Sequence, residues 1–181
     1  MIVGLTGYKG SGKDTVADHL VEYGFVRWSF ADKLREVCSD VFNIPMNYFT
    51  DRDLKEKKIE KFNMSPREIL IHIGTNGFRH VSDSVWCDYV IDGIKEEPEK
   101  SHVITDIRFP NEYHAVKNIG GHVFRTERDG CELGNDIPTS GLYNCGCDDI
   151  ITIDNNFTID DLHVRTNYQI LKARSMHEVR K

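Results

Sequence analysis

Apolar residues in this chain fall into short runs, separated by stretches in which they recur every three or four positions. The first run, Ile2-Val3-Gly4-Leu5-Thr6, is too short for a helix and reads as a buried strand. Behind it Val16, Ala17, Leu20, Val21 and Tyr23 recur at helical spacing, and Gly24 supplies a stop. Residues 25–30 read as a second strand. Residues 31–42, with Leu34, Val37, Cys38 and Val41, read as a second helix that ends before Pro45. Ser65-Pro66-Arg67-Glu68 has the spacing of a capping box with proline in the first turn, and Ile69, Leu70, Ile73 and Phe78 give that helix an apolar side. Val85, Tyr89, Ile91 and Ile94 continue helically up to Pro98. Further strands are expected at 102–106, 122–126 and 150–153, with helices at 111–118 and from Thr158 onward. Residues 46–62 are charge-rich and weakly periodic, which favours a solvated helix or loop over a substrate-lobe element.

Strands alternating with helices predict an α/β protein: five parallel strands, helices on both faces, right-handed crossovers. We expect a single domain over residues 1–181, with an insert at about 31–97 between the second and third strands. A glycine-bearing lid is expected at about 127–148.

The chemistry starts at Gly7-Tyr8-Lys9-Gly10-Ser11-Gly12-Lys13-Asp14-Thr15, between the first strand and the first helix. That is the context of a phosphate-cradling loop, in which glycines turn backbone N–H groups inward and a helix N-terminus adds partial positive charge. Lys13 would span the outer phosphates of a nucleoside triphosphate. The common motif places Ser or Thr directly after the lysine, as a Mg²⁺ ligand; here Asp14 comes first and Thr15 second. A bare GxxxxGK arises readily by chance, so the flanking strand and helix carry the reading. The alternative is a glycine-rich turn ahead of an ordinary helix.

Composition narrows the class. The chain has 181 residues, enough for one substantial core, with 29% charged and 39% apolar residues. A formal charge of −6 argues against a nucleic-acid polymer as partner, though a local basic pocket could take phosphates. No long apolar run predicts a membrane span, and MIVGLTG reads as a strand rather than a secretory leader, which points to the cytoplasm. Cys38, Cys87, Cys131, Cys145 and Cys147 are odd in number and scattered, which suggests reduced thiols. A zinc loop through Cys131, Cys145 and Cys147 is the lesser alternative.

Two further groups complete the set. Asp106 closes the third strand, where parallel sheets gather ligands, and Arg108 follows it; the bland readings are a turn residue and a surface ion pair. Within the insert, Lys33, Arg67 and Arg79 are candidates for an anionic acceptor, and Phe30 and Trp86 for stacking on a base. Loop, carboxylate and arginines together suit phosphoryl transfer, with Lys13, Mg²⁺ and Arg108 neutralising the moving phosphoryl group. No NKxD-type segment marks a regulatory GTPase.

The chain resembles the bacteriophage deoxynucleoside monophosphate kinases, a branch of the P-loop small-molecule kinases. Three blocks carry the resemblance: residues 7–18 with the GKDT variant; Ser65-Pro66-Arg67 through Ile73-Gly74-Thr75, then Trp86; and Asp106-Ile107-Arg108 with Glu112, Gly120-Gly121, Val123, Arg128-Asp129-Gly130 and Asp154-Asn155. The resemblance implies a three-layer P-loop kinase fold with a helical acceptor-binding insert and a lid loop. It also implies ATP and Mg²⁺, and conversion of a deoxynucleoside monophosphate to its diphosphate. It would give Lys13, Asp14 and Thr15 to ATP and Mg²⁺ and the transferring group to Arg108; the loop reading adds Gly7, Lys9, Gly10, Ser11 and Gly12 for ATP, and the place of Asp106 after its strand would let it hold a Mg²⁺ water or orient an attacking group. The monophosphate would fall to Arg67 and Trp86, and the lid and adenine side to Arg128 and Asn155. One departure stands out: the family's His-x-Ser/Thr-Glu lid segment is replaced by residues 136–142, which lack both the His and the Glu. The alternatives are a P-loop kinase on another phosphorylated acceptor, of phosphomevalonate or dephospho-coenzyme A type, and a nucleotide-binding module without turnover. The expected partners are small molecules, in a host cytoplasm if the chain is phage-encoded, and a homodimer is allowed for.

Overall fold

The computed structural model describes residues 1–131, 142, 147 and 149–178, with side chains described through residue 175. The chain divides into two compact units, one of Met1–Trp28 with Val90–Lys181 and one of Ser29–Tyr89.

The first unit is built on a five-stranded sheet: β1 (Ile2–Thr6), β2 (Phe25–Trp28), β3 (Ser101–Ile104), β4 (His122–Glu127) and β5 (Ile151–Asp154). The strands run in the order β2-β3-β1-β4-β5, and every pairing is parallel. The expected five parallel strands are therefore present, with β1 in the middle. Parallel strands covered on both faces read as apolar runs, and β1 shows how each face is filled. Val3 and Leu5 are fully buried and join Val16, Ala17 and Leu20 of α1 (Lys13–Glu22) and Ile170 and Ala173 of α8 (Ile159–Glu178) in one core. Each buried valine, leucine or isoleucine of this set contributes about 1.5–3 kcal/mol by leaving water. On the other face Gly4 lacks a side chain because Ile107 fills the space; a Cβ there would lie 2.1 Å from Ile107 Cδ1. The helix α7 (Pro110–Asn118) contributes Val116 to that side.

The second strand is shorter than expected. It stops at Trp28, because Ser29 takes the N-cap of α2 (Phe30–Phe42), its hydroxyl accepting from Ala31 N at 3.2 Å. Phe30 therefore begins a helix rather than ending a strand. Likewise β3 ends at Ile104, and Asp106 lies just beyond it.

The second unit is helical. After α2 come α3 (Asn47–Thr50), a 3₁₀ turn (Leu54–Glu56) and α4 (Pro66–Ile71). A π-helical turn (His72–Phe78) and α5 (Arg79–Val81) follow, and α6 (Val85–Glu96) carries the chain into the other unit. The expected opening of α4 is present in full: Ser65 Oγ accepts from Glu68 N at 3.2 Å, and Ser65 N donates to Glu68 Oε2 at 2.7 Å. Donation from the Ser65 backbone N–H, and after it from the Ser65 hydroxyl, holds the Glu68 carboxyl below its usual range. The helix is not uniform, as its spacing had implied, but widens over residues 72–78. There the buried Gly74 passes close to α2, with Leu34 Cδ2 2.5 Å from where a Cβ would stand. In the charge-rich stretch 46–62 most side chains are exposed or half-buried, and Phe49 anchors it from inside. No helix among the described residues is long and apolar enough to cross a membrane.

Candidate functional site

The glycine loop leaves β1 at the centre of the sheet and enters α1. Gly7, Gly10 and Gly12 have φ of 135°, 84° and 103°. At Gly7 the need for glycine is double: a Cβ would also fall 2.4 Å from the Thr126 carbonyl oxygen. Gly12 is the N-cap of α1 and gives that helix no side-chain cap. A helix entered through glycine rather than through a capping side chain has the form of an anion-binding helix start. Lys13 Nζ donates to the carbonyls of Gly7 and Tyr8 at 2.7 and 2.8 Å, which holds the ammonium against the loop. Lys9 and Gly10 are exposed at the rim.

Ser11 behaves differently from its neighbours. It is fully buried, its hydroxyl lying 2.7 Å from Thr126 Oγ1. Asn155, which the resemblance would place on the adenine side, donates its Nδ2 to the Ser11 carbonyl at 2.8 Å. Thr126 was not singled out from the sequence. The available signal was a hydroxyl near the carboxyl end of a strand, the same position that drew attention to Asp106.

The Asp106–Arg108 segment leaves β3 beside the loop's stem, where Ile107 N donates to the Leu5 carbonyl at 3.0 Å. Glu112, almost fully buried on α7, fixes it further by accepting from Arg108 N at 2.7 Å and Phe109 N at 3.0 Å. Asp106 is half-buried and the Arg108 side chain exposed. Arg128 is exposed past the end of β4.

Asp14 lies at the surface of the first turn of α1. Its side chain is 84% exposed, and Arg27 bridges it at 3.0 Å and Asp18, one helical turn on, at 2.6 Å. Thr15 is half-buried. No group of three or more His, Cys, Asp or Glu among the described residues could hold a metal ion by itself. The donors Asp14, Thr15 and Asp106 are all oxygens, and Mg²⁺ commonly takes one or two protein oxygens with phosphates and water supplying the rest, so the set fits Mg²⁺ carried by a nucleotide.

The expected acceptor residues all lie in the helical unit. Arg67 Nε donates to Glu56 Oε1 at 2.8 Å, and Arg79 donates to the Asp83 carbonyl at 3.4 Å. Lys33 pairs with Glu36 at 2.8 Å, which raises its pKa, and lies 5.7 Å from the centre of the Tyr89 ring. Phe30 and Trp86 are buried, at 4% and 5% exposure, and do not present open stacking faces. Trp86 packs against Phe78, and its indole N–H is buried with no acceptor among the described residues.

The thiols are not all reduced. Cys38, Cys87 and Cys131 form no disulfide, but Cys147 is disulfide-bonded, so it has no thiolate to offer zinc. Cys145 and most of the lid at 127–148, including residues 136–141, lie outside the described residues.

Comparison with known proteins places this geometry. No family model matches the chain. In structure it is similar to a dephospho-CoA kinase from Campylobacter jejuni (TM-score 0.56, 11% identity, covering 94% of this chain and 96% of the other). A gluconokinase from Sinorhizobium meliloti 1021 also matches (TM-score 0.50, 12% identity, 97% and 94% covered). The fold is that of the P-loop kinases. At this identity the P-loop kinase neighbours speak for the fold alone. In sequence the chain is 29% identical to an Acanthamoeba polyphaga mimivirus protein named "Putative deoxynucleotide monophosphate kinase", over 90% of this chain and 92% of that one. The likeness to deoxynucleotide monophosphate kinases thus extends over most of the chain.

Proposed function

We propose that the chain is an ATP-dependent kinase that converts deoxynucleoside monophosphates to diphosphates, with Mg²⁺, in the cytoplasm where such nucleotides are held. The observation that carries the reading is the start of α1: a helix with no side-chain cap, entered through three glycines at positive φ, with the Lys13 ammonium folded onto the loop. The loop N–H groups and Lys13 would hold the triphosphate, and Asp14, Thr15 and Asp106 would hold Mg²⁺, which when bound shields the charge between phosphates. Arg108 would meet the transferring phosphoryl group, and its backbone is already fixed by Glu112. In the helical unit Lys33, Arg67 and Arg79 would bind the acceptor's phosphate, with Trp86 and Phe30 shaping its base pocket from inside. Arg128 would close on the ATP side.

A second reading, transfer to another phosphorylated acceptor of phosphomevalonate or dephospho-coenzyme A type, has in its favour the burial of Phe30 and Trp86, which leaves them closed to stacking on a base. A nucleotide-binding module without turnover would leave Asp106 and Arg108 without a role. Release of ADP over a panel of monophosphates separates the three. ADP formed only with deoxynucleotides supports the proposal, and ADP formed only with other acceptors supports the second reading. ATP binding without acceptor-dependent ADP supports the third. Within the proposal, Arg67→Ala should raise the acceptor KM roughly tenfold or more, as loss of a charge-assisted phosphate contact does, with little effect on the ATP KM. Steady-state kinetics with each substrate varied would check it, and a change confined to ATP would remove Arg67 from the acceptor side.

A further inference from the structure

The buried side of the loop is gripped by two side chains that the transfer chemistry does not require. Ser11 has no exposed surface, and both of its oxygens are engaged: the hydroxyl with Thr126 Oγ1 at 2.7 Å, the carbonyl with Asn155 Nδ2 at 2.8 Å. Thr126 is itself fully buried in β4, and its carbonyl oxygen would stand 2.4 Å from a Cβ on Gly7. Asn155 follows β5 and is tied to the end of β4 by its own N–H, which donates to the Glu127 carbonyl at 2.7 Å. Its Nδ2 would stand 2.3 Å from a Cβ on Gly12. The entrance, the middle and the exit of the loop are thus each set against one of these two residues. Neither bond uses a loop N–H, so the grip takes nothing from the groups that face an anion.

We propose that Thr126 and Asn155 are positioning residues that latch the phosphate loop in its binding shape, with Ser11 as the catch. The inference rests on residues 7–15 being the phosphate loop. It makes Ser11 a structural hinge-pin rather than a phosphate ligand, and it ties the loop to the ends of two strands remote in sequence. A loop held in advance binds its ligand without the cost of ordering it. The latch should therefore act on ATP affinity and leave the acceptor untouched.

The test is ATP titration by calorimetry, well below the melting temperature, on the full chain and on Thr126→Val, Thr126→Ser and Asn155→Ala. Thr126→Val keeps the volume and removes the hydroxyl, whereas Thr126→Ser keeps the hydroxyl. We expect Thr126→Val and Asn155→Ala each to weaken ATP binding roughly tenfold, the usual scale for one buried hydrogen bond broken with its partner left unpaired. Thr126→Ser should bind within twofold of wild type, and the acceptor KM at saturating ATP should stay within twofold throughout. ATP binding within twofold of wild type in Thr126→Val and Asn155→Ala, with only their melting temperatures lowered, would overturn the latch while sparing the loop. If Thr126→Val does not fold, the ATP affinity of Asn155→Ala alone decides between these outcomes. A wild-type chain that binds no ATP would instead overturn the loop reading, and the latch with it.

Discussion

At the scale of single residues, the proposed reading separates groups that would do chemistry from those that would hold it. Lys13 is the clearest case: its ammonium already rests on the carbonyls of Gly7 and Tyr8. Lys13→Ala should lower kcat by about a hundredfold or more, because it removes a cation that matters most as phosphate charge develops. Its circular dichroism and melting temperature should stay close to wild type, and an unchanged kcat would remove Lys13 from the transfer step. The thiols give a second residue-scale test. Burial pushes the Cys38 thiol up to about 11 from an ordinary 9.0, whereas Cys131 is only half-buried. At pH 8 iodoacetamide should label Cys131 well before Cys38, as mass spectrometry would show. Between pH 9 and 11 the native Cys38 keeps a proton that the unfolded chain has shed. This contribution to stability is complete below pH 9 and declines as pH rises towards 11, and denaturant melts across that range would follow it.

At the scale of elements, local signals decided where helices begin, and tertiary contacts decided how they continue. The capping box at Ser65 and Glu68 was legible because its bonds join residues three apart. Ser65→Ala should cost about 1 kcal/mol of stability, measured by urea unfolding, while Ser65→Thr or Ser65→Asp should recover most of it. The widening at residues 72–78 was not legible. It accompanies the approach of Gly74 to Leu34, a residue some forty positions away that no local pattern connects to it. Ser29 is an intermediate case. A serine after an apolar run reads equally as the last strand residue or as a cap, and its hydroxyl chose the cap by accepting from Ala31 N.

At the scale of the whole molecule, the parallel sheet sets both rigidity and the location of the site. β1 has strand neighbours on both sides, whereas β2 and β5 lie at the edges. Amide exchange should be slowest in β1, where Val3 and Leu5 are fully buried, and faster in the two edge strands, as mass-spectrometric hydrogen exchange would read. Uniform exchange across the five strands would contradict this account of the core. The loop springs from that central strand, so the groups meant to stay fixed stand on the part of the sheet that opens least. By itself the sequence determined the order of strands and helices, the phosphate loop and the carboxylate after the third strand. Each of these is written in residues close together, through period, glycine spacing and capping. Only the tertiary structure decided that Asp14 turns to Arg27, that Phe30 and Trp86 are buried, and that Thr126 and Asn155 close on Ser11. Those outcomes depend on which strands become neighbours, and residues 115 and 144 positions apart meet only after the sheet has formed.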